Sequence, residues 1–369
     1  MRSRRSTRNT SASEPAARLA LSRRGVLKGS AALALACAAA PRAHALPEPT
    51  PVTPALIEAA RREGKVAFYT AMEITVAETL AKAFEAKYPG IKVRVERTGS
   101  ERLFQRLAQE YASGIRAADI VNSADAAHFI VWKRDGWLAP YVPEDVARHF
   151  APEHRDPDGM FASVRAWLSV IGYNTKLVKR EEAPKSFADL LDPKWAGKIV
   201  KAHPGYSGTI LTATFQIARD IGWDYFEKLA KQRVMQVQSS TDPPKKLALG
   251  ERAVMADGND YLLVQLKEAG QPVEIVYPLE GTPLIVGPNG VFKDAPNPNA
   301  ARLFQSWIFS VEGQQIIVDF AAQRSFHPLV KEKPGRTPLS AIKLMKDDPA
   351  AVEAQSDDIK ARYVKYFKV

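Results

Sequence analysis

Residues 65–96, KVAFYTAMEITVAETLAKAFEAKYPGIKVRVE, decide the fold of this chain. A strand signal over residues 65–70 leads into a helix whose apolar residues recur at every fourth position: Val76, Leu80, Phe84 and Tyr88. Pro89-Gly90 ends that helix, and apolar and charged residues then alternate over residues 91–96, which is the period of a half-buried strand. The stretch therefore predicts a strand, a crossover helix and a second strand.

The same alternation of strands and helices continues beyond this stretch. A helix is predicted after Ser100, a plausible N-cap, and ends at Gly114; a short strand follows at residues 118–121 and a helix at residues 126–134. Strands at residues 198–200 and 253–255 repeat the pattern in the middle of the chain. We predict an α/β protein with parallel sheets wrapped by right-handed crossovers.

Two extended sections have the character of connectors between lobes. One covers residues 164–173, and the other covers residues 275–286. If both join the same two lobes, residues 46–168 and 281–369 form a discontinuous first lobe and residues 169–280 form the second. A two-strand hinge of this kind predicts lobes that close over a cleft.

The N-terminus predicts export. Ser22-Arg23-Arg24 precedes a short alanine-rich apolar run, and Ala43-His44-Ala45 supplies an A-x-A cleavage site. This pattern is typical of a twin-arginine signal peptide over residues 1–45, cleaved near Ala45 for release into the periplasm. The run is too short for a membrane-spanning helix. A lipoprotein acylated at Cys37 is the other alternative, but Ala34 stands where such motifs usually have leucine.

The charge balance changes once the signal segment is removed. Residues 1–45 hold nine of the 52 Lys and Arg residues and one of the 41 Asp and Glu residues, so 43 and 40 remain and the net charge falls from +11 to +3. A charge of +3 gives no sign of nucleic-acid binding. The only cysteine leaves with the segment, so neither a disulfide nor a thiol nucleophile is expected.

At this point the sequence resembles the periplasmic solute-binding proteins of ABC importers, type II fold, in the group named for ferric-iron binding. The resemblance covers nearly the whole mature chain and depends on the order and spacing of several blocks: residues 66–71 (VAFYTA), 80–85 (LAKAFE), 118–120 (ADI), 171–175 (IGYNT), 204–209 (PGYSGT), 280–285 (EGTPLI) and 293–301 (KDAPNPNAA).

This resemblance implies two α/β lobes with a ligand in the cleft between them, lobe closure on binding, and delivery of the ligand to a membrane permease. It also implies that residues 207–209 hold an anion beside the ligand. Ferric members of the family present adjacent tyrosines, whereas this chain has only Tyr261, preceded by Asp260. Ferric iron is therefore one candidate ligand, beside phosphorylated, anionic or organic solutes. The resemblance implies a monomer that requires no cofactor.

The candidate ligand residues are polar side chains and one glycine that follow predicted strands, where open α/β sheets collect ligands. They are Thr70, Glu73, Ser100, Glu101, Asn122, Ser123, Ser207, Gly208, Thr209, Asp260 and Tyr261. The segment at residues 207–209 is the strongest, because two hydroxyls and a glycine at a helix start suit phosphate, phosphonate or carboxylate. Glu73, Glu101 and Tyr261 are the expected metal ligands if the solute is ferric. Ordinary helix capping is the alternative role for these positions.

An exported serine hydrolase is the alternative function, because residues 205–209 (GYSGT) nearly spell the G-x-S-x-G nucleophile elbow around Ser207. The final glycine is displaced by one position, and His327 has no carboxylate companion at a recognised spacing. The histidines of the mature chain show no i, i+3 or i, i+4 metal spacing. Binding without catalysis is therefore the prediction.

Overall fold

The computed structural model describes residues 47–369 and places their strands in two sheets. The signal segment, Cys37 and the cleavage position at Ala45 lie outside the described residues. None of the helices between residues 47 and 369 combines the length and apolar character that crossing a bilayer requires. In chain order the strands are β1 (Lys65–Thr70), β2 (Lys92–Arg97), β3 (Ile120–Asn122), β4 (Ala162–Leu168), β5 (Ile171–Asn174), β6 (Ile199–Ala202), β7 (Met235–Val237), β8 (Val254–Met255), β9 (Val273–Val276), β10 (Thr282–Val291) and β11 (Leu344–Met345).

The α-helices of the described part connect these strands and cover both sheets. They are α1 (Pro54–Glu63), α2 (Ile74–Lys87), α3 (Ser100–Ala112), α4 (Ala126–Arg134), α5 (Glu144–His149), α6 (Gly208–Asp220), α7 (Trp223–Ala230), α8 (Asp242–Ala248), α9 (Asp260–Glu268), α10 (Pro298–Phe309), α11 (Val311–Ala321) and α12 (Pro349–Phe367). Four short 3-10 turns lie among them, at Pro152–His154, Ala188–Leu191, Pro193–Trp195 and Leu339–Ala341.

The first sheet has the order β11-β10-β3-β1-β2, with β4 paired to β10. The predicted parallel pairing holds for β1, which is parallel to both β2 and β3. It fails for β4 and β10, which are antiparallel to each other, and β10 is also antiparallel to β3. These two strands carry the chain out of the first sheet and back into it, so they run in opposite directions.

The second sheet has the order β7-β6-β8-β5-β9. Its strands β6, β7 and β8 are parallel, whereas β5 pairs antiparallel with β8 and β9. Strand β5 follows β4 after two residues and β9 precedes β10, so consecutive strands belong to different sheets at two points of the chain. These two crossings match the two connectors that the sequence indicated, while the residue boundaries of the lobes stay a prediction.

The apolar cores beside the two sheets explain the four-residue spacing of apolar residues in the helices. On α2, Val76, Leu80 and Phe84 are buried, and the ring of Phe84 meets that of Phe304 edge-on at 5.0 Å between centroids. The second sheet has its own apolar core, which includes Phe187 and Phe226. Burial of one face of each helix against a sheet is what the four-residue spacing provides.

Helix α12 contacts helices from both sides of the molecule. Val352 and Ile359 pack with Leu211 and Phe215 of α6 and with Ala127 of α4. The hydroxyl of Tyr363 donates to Gln236 Oε1 at 2.7 Å. The C-terminal helix thus joins α4, beside the first sheet, to α6, beside the second.

Candidate functional site

A narrow cleft lies where the ends of the two sheets face each other, and elements of both sheets supply its walls. The first side consists of Ala71, Glu73, Arg97, Gly99, Ser100, Arg102, Ala124, Arg165 and Trp167; the second consists of Tyr206, Ser207, Thr209, Gln238, Ser239, Ser240, Thr241, Asn259 and Tyr261. The cavity volume is about 60 Å³, and the cleft is partly open to solvent.

The position of the cleft follows from the strand directions. Because β1, β2 and β3 are parallel, their C-terminal ends lie at one edge of the sheet, and the residues that follow them meet there. Glu73 follows β1, Arg102 lies just after β2 in the first turn of α3, and Ala124 follows β3. Across the cleft, the N-termini of α6 and α9 bring Ser207, Thr209 and Tyr261.

Three arginines give the cleft a positive potential. Arg97, Arg102 and Arg165 line it, against the single carboxylate of Glu73. Arg97 is anchored by a hydrogen bond from its Nε to the Met72 carbonyl at 3.1 Å. A low-dielectric cleft with an excess of guanidinium groups attracts anions and repels cations.

Arg165 is the most deeply buried of the three arginines. It is only 2% exposed, its Nη2 donates to Asn122 Oδ1 at 3.0 Å, and its guanidinium lies 4.7 Å from the centre of the Trp167 ring. Burial lowers the pKa of Arg165 to about 10, even with Tyr261 and Glu73 nearby to favour the charged form. The side chain therefore stays charged at neutral pH. Within residues 47–369 its buried Nε has no hydrogen-bond partner.

Tyr261 supplies a neutral hydroxyl on the opposite wall. It is buried, and its oxygen accepts a hydrogen bond from Asn259 Nδ2 at 3.1 Å. Burial, together with the negative charge of Glu73, raises the pKa of Tyr261. In this environment the phenol keeps its proton and can donate it in a hydrogen bond.

The three residues at positions 207–209 have different positions relative to the cleft. Ser207 is the N-cap residue of α6, yet within the described chain its side chain makes no capping hydrogen bond. Ser207 and Thr209 both line the cleft. Gly208 does not; its N–H donates to Ser100 Oγ at 2.9 Å, which links the start of α6 to the start of α3.

Gly208 permits this approach because it has no side chain. A Cβ at this position would lie 2.5 Å from Asp125 Cβ and 3.0 Å from Ser100 Oγ. Carbon atoms pack no closer than about 3.5 Å. The glycine is therefore needed for the two sides of the cleft to come together here.

The structure brings five of the predicted ligand residues to the cleft: Glu73, Ser100, Ser207, Thr209 and Tyr261. Thr70 and Asn122 lie beneath it, where the Thr70 hydroxyl is within 3.3 Å of Asn122 Oδ1 and Asn122 in turn holds Arg165. Direct contact of any of these residues with a solute stays a prediction.

Glu101 and Ser123 do not line the cleft, and each is paired with other side chains of the protein. Glu101 is 4% exposed and accepts hydrogen bonds from His128 Nε2 at 3.1 Å and from Lys360 Nζ at 2.7 Å. Burial alone would raise the pKa of Glu101, but these two partners hold it at about 2. Ser123 Oγ is paired with the other nitrogen of His128, at 2.9 Å.

Asp260 is also committed to the protein itself. Its side chain is fully buried, accepts a hydrogen bond from Leu168 N at 3.0 Å, and forms ion pairs with Arg336 and Arg324. The three residues expected around ferric iron are thus not assembled. Glu73 and Tyr261 line the cleft, whereas Glu101 is held by His128 and Lys360.

Sequence reasoning missed the three arginines. Arg165 had a usable signal, since it is the one charged residue in the otherwise uncharged strand ASVRAWL of residues 162–168. A fully buried charge is rare unless it has a partner or a ligand. Arg97 and Arg102 stand on either side of Ser100 and Glu101, which the sequence analysis named as candidate ligand residues.

Comparison with known proteins identifies the family. Residues 70–315 match the bacterial extracellular solute-binding protein family. The chain belongs to this family. A protein of Haemophilus influenzae without assigned function is 27% identical over 272 residues, which cover 70% of this chain and 76% of the relative. Iron uptake protein A1 of Synechocystis is 26% identical over 284 residues, 72% of this chain and 76% of that protein.

Solved structures agree with the family on the fold. The periplasmic binding protein AfuA from Actinobacillus pleuropneumoniae, with fructose-6-phosphate bound, is 27% identical with a TM-score of 0.77 over 83% of this chain and 99% of that one. Iron-bound HitA from Pseudomonas aeruginosa has a TM-score of 0.71 at 24% identity, over 82% and 99% of the two chains. The predicted fold, a type II periplasmic binding protein, is confirmed.

Membership of the solute-binding family shows that the alternative prediction, an exported serine hydrolase, was wrong. The chain is a solute-binding protein of the ABC-importer class and not a serine hydrolase. The structure agrees on the residues, because His327 packs against His149 and Phe150. The described residues that line the cleft with Ser207 include no histidine.

Proposed function

We propose that this solute-binding protein captures a small phosphorylated or otherwise anionic organic solute in the periplasm. The observation that carries the proposal is the charge of the cleft, where three arginines face one carboxylate. A phosphate or carboxylate group pairs with guanidinium groups through short, charge-assisted hydrogen bonds. Arg165 lines the cleft, and among the described residues its buried Nε has no hydrogen-bond partner.

The opposite wall suits the uncharged part of an organic solute. Ser207, Thr209 and the hydroxyl of Tyr261 are donors and acceptors of the kind that sugar hydroxyls need. Trp167, on the arginine side, adds an apolar surface. The structure of AfuA with fructose-6-phosphate supports this class of solute, since that protein shares 27% of its residues with this chain.

Ferric iron is the second candidate. The phenol of Tyr261 and the carboxylate of Glu73 lie in the same cleft, and both are hard oxygen ligands. Iron uptake protein A1 is among the relatives. The arginine charge opposes a trivalent cation, so iron would need an accompanying anion.

Calorimetry with matched solutes tests the proposal. Fructose 6-phosphate, fructose, inorganic phosphate and ferric citrate are titrated into the purified mature protein. We expect the phosphorylated sugar to bind at least about 100-fold more tightly than fructose, because each hydrogen bond to a charged group contributes about 1.5–3 kcal/mol. Equal affinity for the two sugars, or binding of the ferric salt alone, would refute an anionic organic solute.

Variants of two arginines on one strand supply the residue-level test. Arg97→Gln should weaken binding of the phosphorylated sugar by about tenfold or more, since it removes a charge from the cleft. Arg94→Gln is the matched control, because Arg94 lies on β2 with its side chain 59% exposed and outside the cleft. Arg165→Gln should have the larger effect, and equal affinities for all three variants would contradict the placement of the anion.

Export and delivery complete the proposal. Residues 1–45 act as a twin-arginine signal, the protein is released near Ala45 as a monomer, and its loaded form passes the solute to an ABC permease in the inner membrane without turnover. Mass spectrometry of the periplasmic protein should find Leu46 as its first residue. Replacing Arg23 and Arg24 by lysine should retain the precursor in the cytoplasm, and release of a normal mature chain by that variant would contradict the twin-arginine route.

A further inference from the structure

A second cluster of chemically active side chains lies apart from the cleft, between helix α5 and the segment that follows α11. Asp145 and His149 stand four residues apart on α5, and His327 comes from residues 322–330. Asp145 Oδ1 lies 4.0 Å from His149 Nε2 and 3.8 Å from His327 Nε2. One ligand atom from each residue lies within 4.8 Å of the others.

His327 is the member that indicates a ligand. The residue is 2% exposed, and in the part of the chain that the structure describes its Nε2 has no hydrogen-bond partner. The ring is fixed in place, because it lies 4.7 Å from the His149 ring and meets Phe150 edge-on. A buried polar atom held toward a carboxylate and a second imidazole, yet bonded to neither, costs stability unless something binds it.

We propose that Asp145, His149 and His327 form a binding site for a divalent transition-metal cation of the zinc class. Two imidazole nitrogens and one carboxylate oxygen are a ligand set that zinc uses, with water in the remaining position. The Asp145 and His149 side chains are 35% and 29% exposed, so the ion can enter from solvent.

The three ligand atoms, which lie within 4.8 Å of one another, must draw together to close around such an ion. Zinc–ligand bonds of about 2.1 Å place tetrahedral ligand atoms about 3.4 Å apart, so the 3.8 and 4.0 Å separations must shrink by about half an ångström. The half-exposed Asp145 and His149 can make that movement. An imidazole that binds the ion through Nε2 carries its proton on Nδ1. His327 must therefore also give up the hydrogen bond that its Nδ1 accepts from Leu329 N, which is long at 3.3 Å.

Titration of the mature protein with Zn²⁺ tests the site. The protein carries no polyhistidine tag and is first stripped with a chelator. We expect one tightly bound Zn²⁺ per chain, and Co²⁺ in its place should give the strong visible absorption of a four-coordinate ion. Asp145→Asn and His149→Gln should each weaken Zn²⁺ binding by about tenfold or more, and both positions are exposed enough for the variants to fold.

Control variants separate this site from its neighbours. His154→Gln removes a histidine that stacks on Phe326 outside the cluster and should leave the Zn²⁺ affinity unchanged. Arg165→Gln should leave it unchanged as well, which keeps the test independent of the solute proposed for the cleft. The proposal is overturned if the wild-type chain does not bind Zn²⁺, if the two α5 variants bind it normally, or if binding is lost only in His128→Gln, which would place the ion with Glu101 and Asp125.

Discussion

Replacing Gly208 by alanine should hold the cleft open. The added Cβ would lie 2.5 Å from Asp125 Cβ, so the start of α6 must move away from α4 by about 1 Å to restore a normal carbon contact. That movement also breaks the 2.9 Å hydrogen bond from Gly208 N to Ser100 Oγ. Both contacts join the two sides of the cleft, so the penalty falls on the arrangement in which the sides meet.

The size of the effect follows from these two contacts. Overpacking of a tight contact costs about 1–3 kcal/mol, and the lost hydrogen bond costs about 0.5–1.5 kcal/mol. The sum, about 1.5–4.5 kcal/mol, corresponds to a weakening of solute binding by about tenfold to 1,000-fold. The free energy of unfolding should change less, because separation of the lobes relieves the misfit.

Calorimetry with the tightest-binding solute and small-angle scattering measure the two consequences. The Gly208→Ala protein should have a higher Kd and a radius of gyration that shrinks less on adding solute. Gly99→Ala is the matched control, since Gly99 also lines the cleft but an added Cβ there would meet only ordinary contacts of 3.6 Å and beyond. Wild-type affinity and wild-type compaction in Gly208→Ala would refute the reasoning.

Two further predictions concern buried charges. The pKa of Glu101 is lowered from 4.5 to about 2, so the charged carboxylate stabilises the fold by about 3 kcal/mol above pH 4.5, and this contribution is lost as the pH falls toward 2. In urea unfolding between pH 6 and pH 3, the free energy of unfolding should depend less on pH in Glu101→Gln than in the wild type. An equal pH dependence in the two proteins would contradict this. Lys201 and Asp257 form a buried ion pair, with side chains 1% and 2% exposed. Lys201→Met leaves the Asp257 carboxylate buried and unpaired, so it should lower the free energy of unfolding by about 3–5 kcal/mol, and the double variant Lys201→Met, Asp257→Leu should lower it by much less. Equal losses for the two variants in urea titrations would show that the unpaired carboxylate is not the cause.

Local periodicity was sufficient for the elements near the start of the first sheet. The spacing of Val76, Leu80 and Phe84 predicted α2, and the alternation after Pro89 predicted β2, because each pattern reports which face of a single element is buried. Burial of one face is a property of neighbouring residues, so it can be read along the chain. The order of such elements was also enough to indicate the two crossings between sheets.

The chemistry of the site was predicted only in part. Ser207 and Thr209 line the cleft, and their signal is local, two hydroxyls around a glycine where a helix starts. Glu101 and Asp260 satisfied the same local rule, yet each is engaged by residues far away in sequence, Lys360 for the first and Arg336 for the second. The sequence cannot show which of several carboxylates is already paired with a distant cation.

The sequence by itself determined the fold class and the family, and it predicted the edge of the sheets at which a solute binds, because short patterns indicate strand direction and helix starts. The tertiary structure alone decided which side chains face that edge. It placed Arg165 in the cleft, turned Glu101 toward α12 and brought His327 to Asp145, because such contacts join residues tens or hundreds of positions apart. The charge and hydrogen bonding of these side chains depend on their neighbours and on their burial, and a local sequence pattern reports neither.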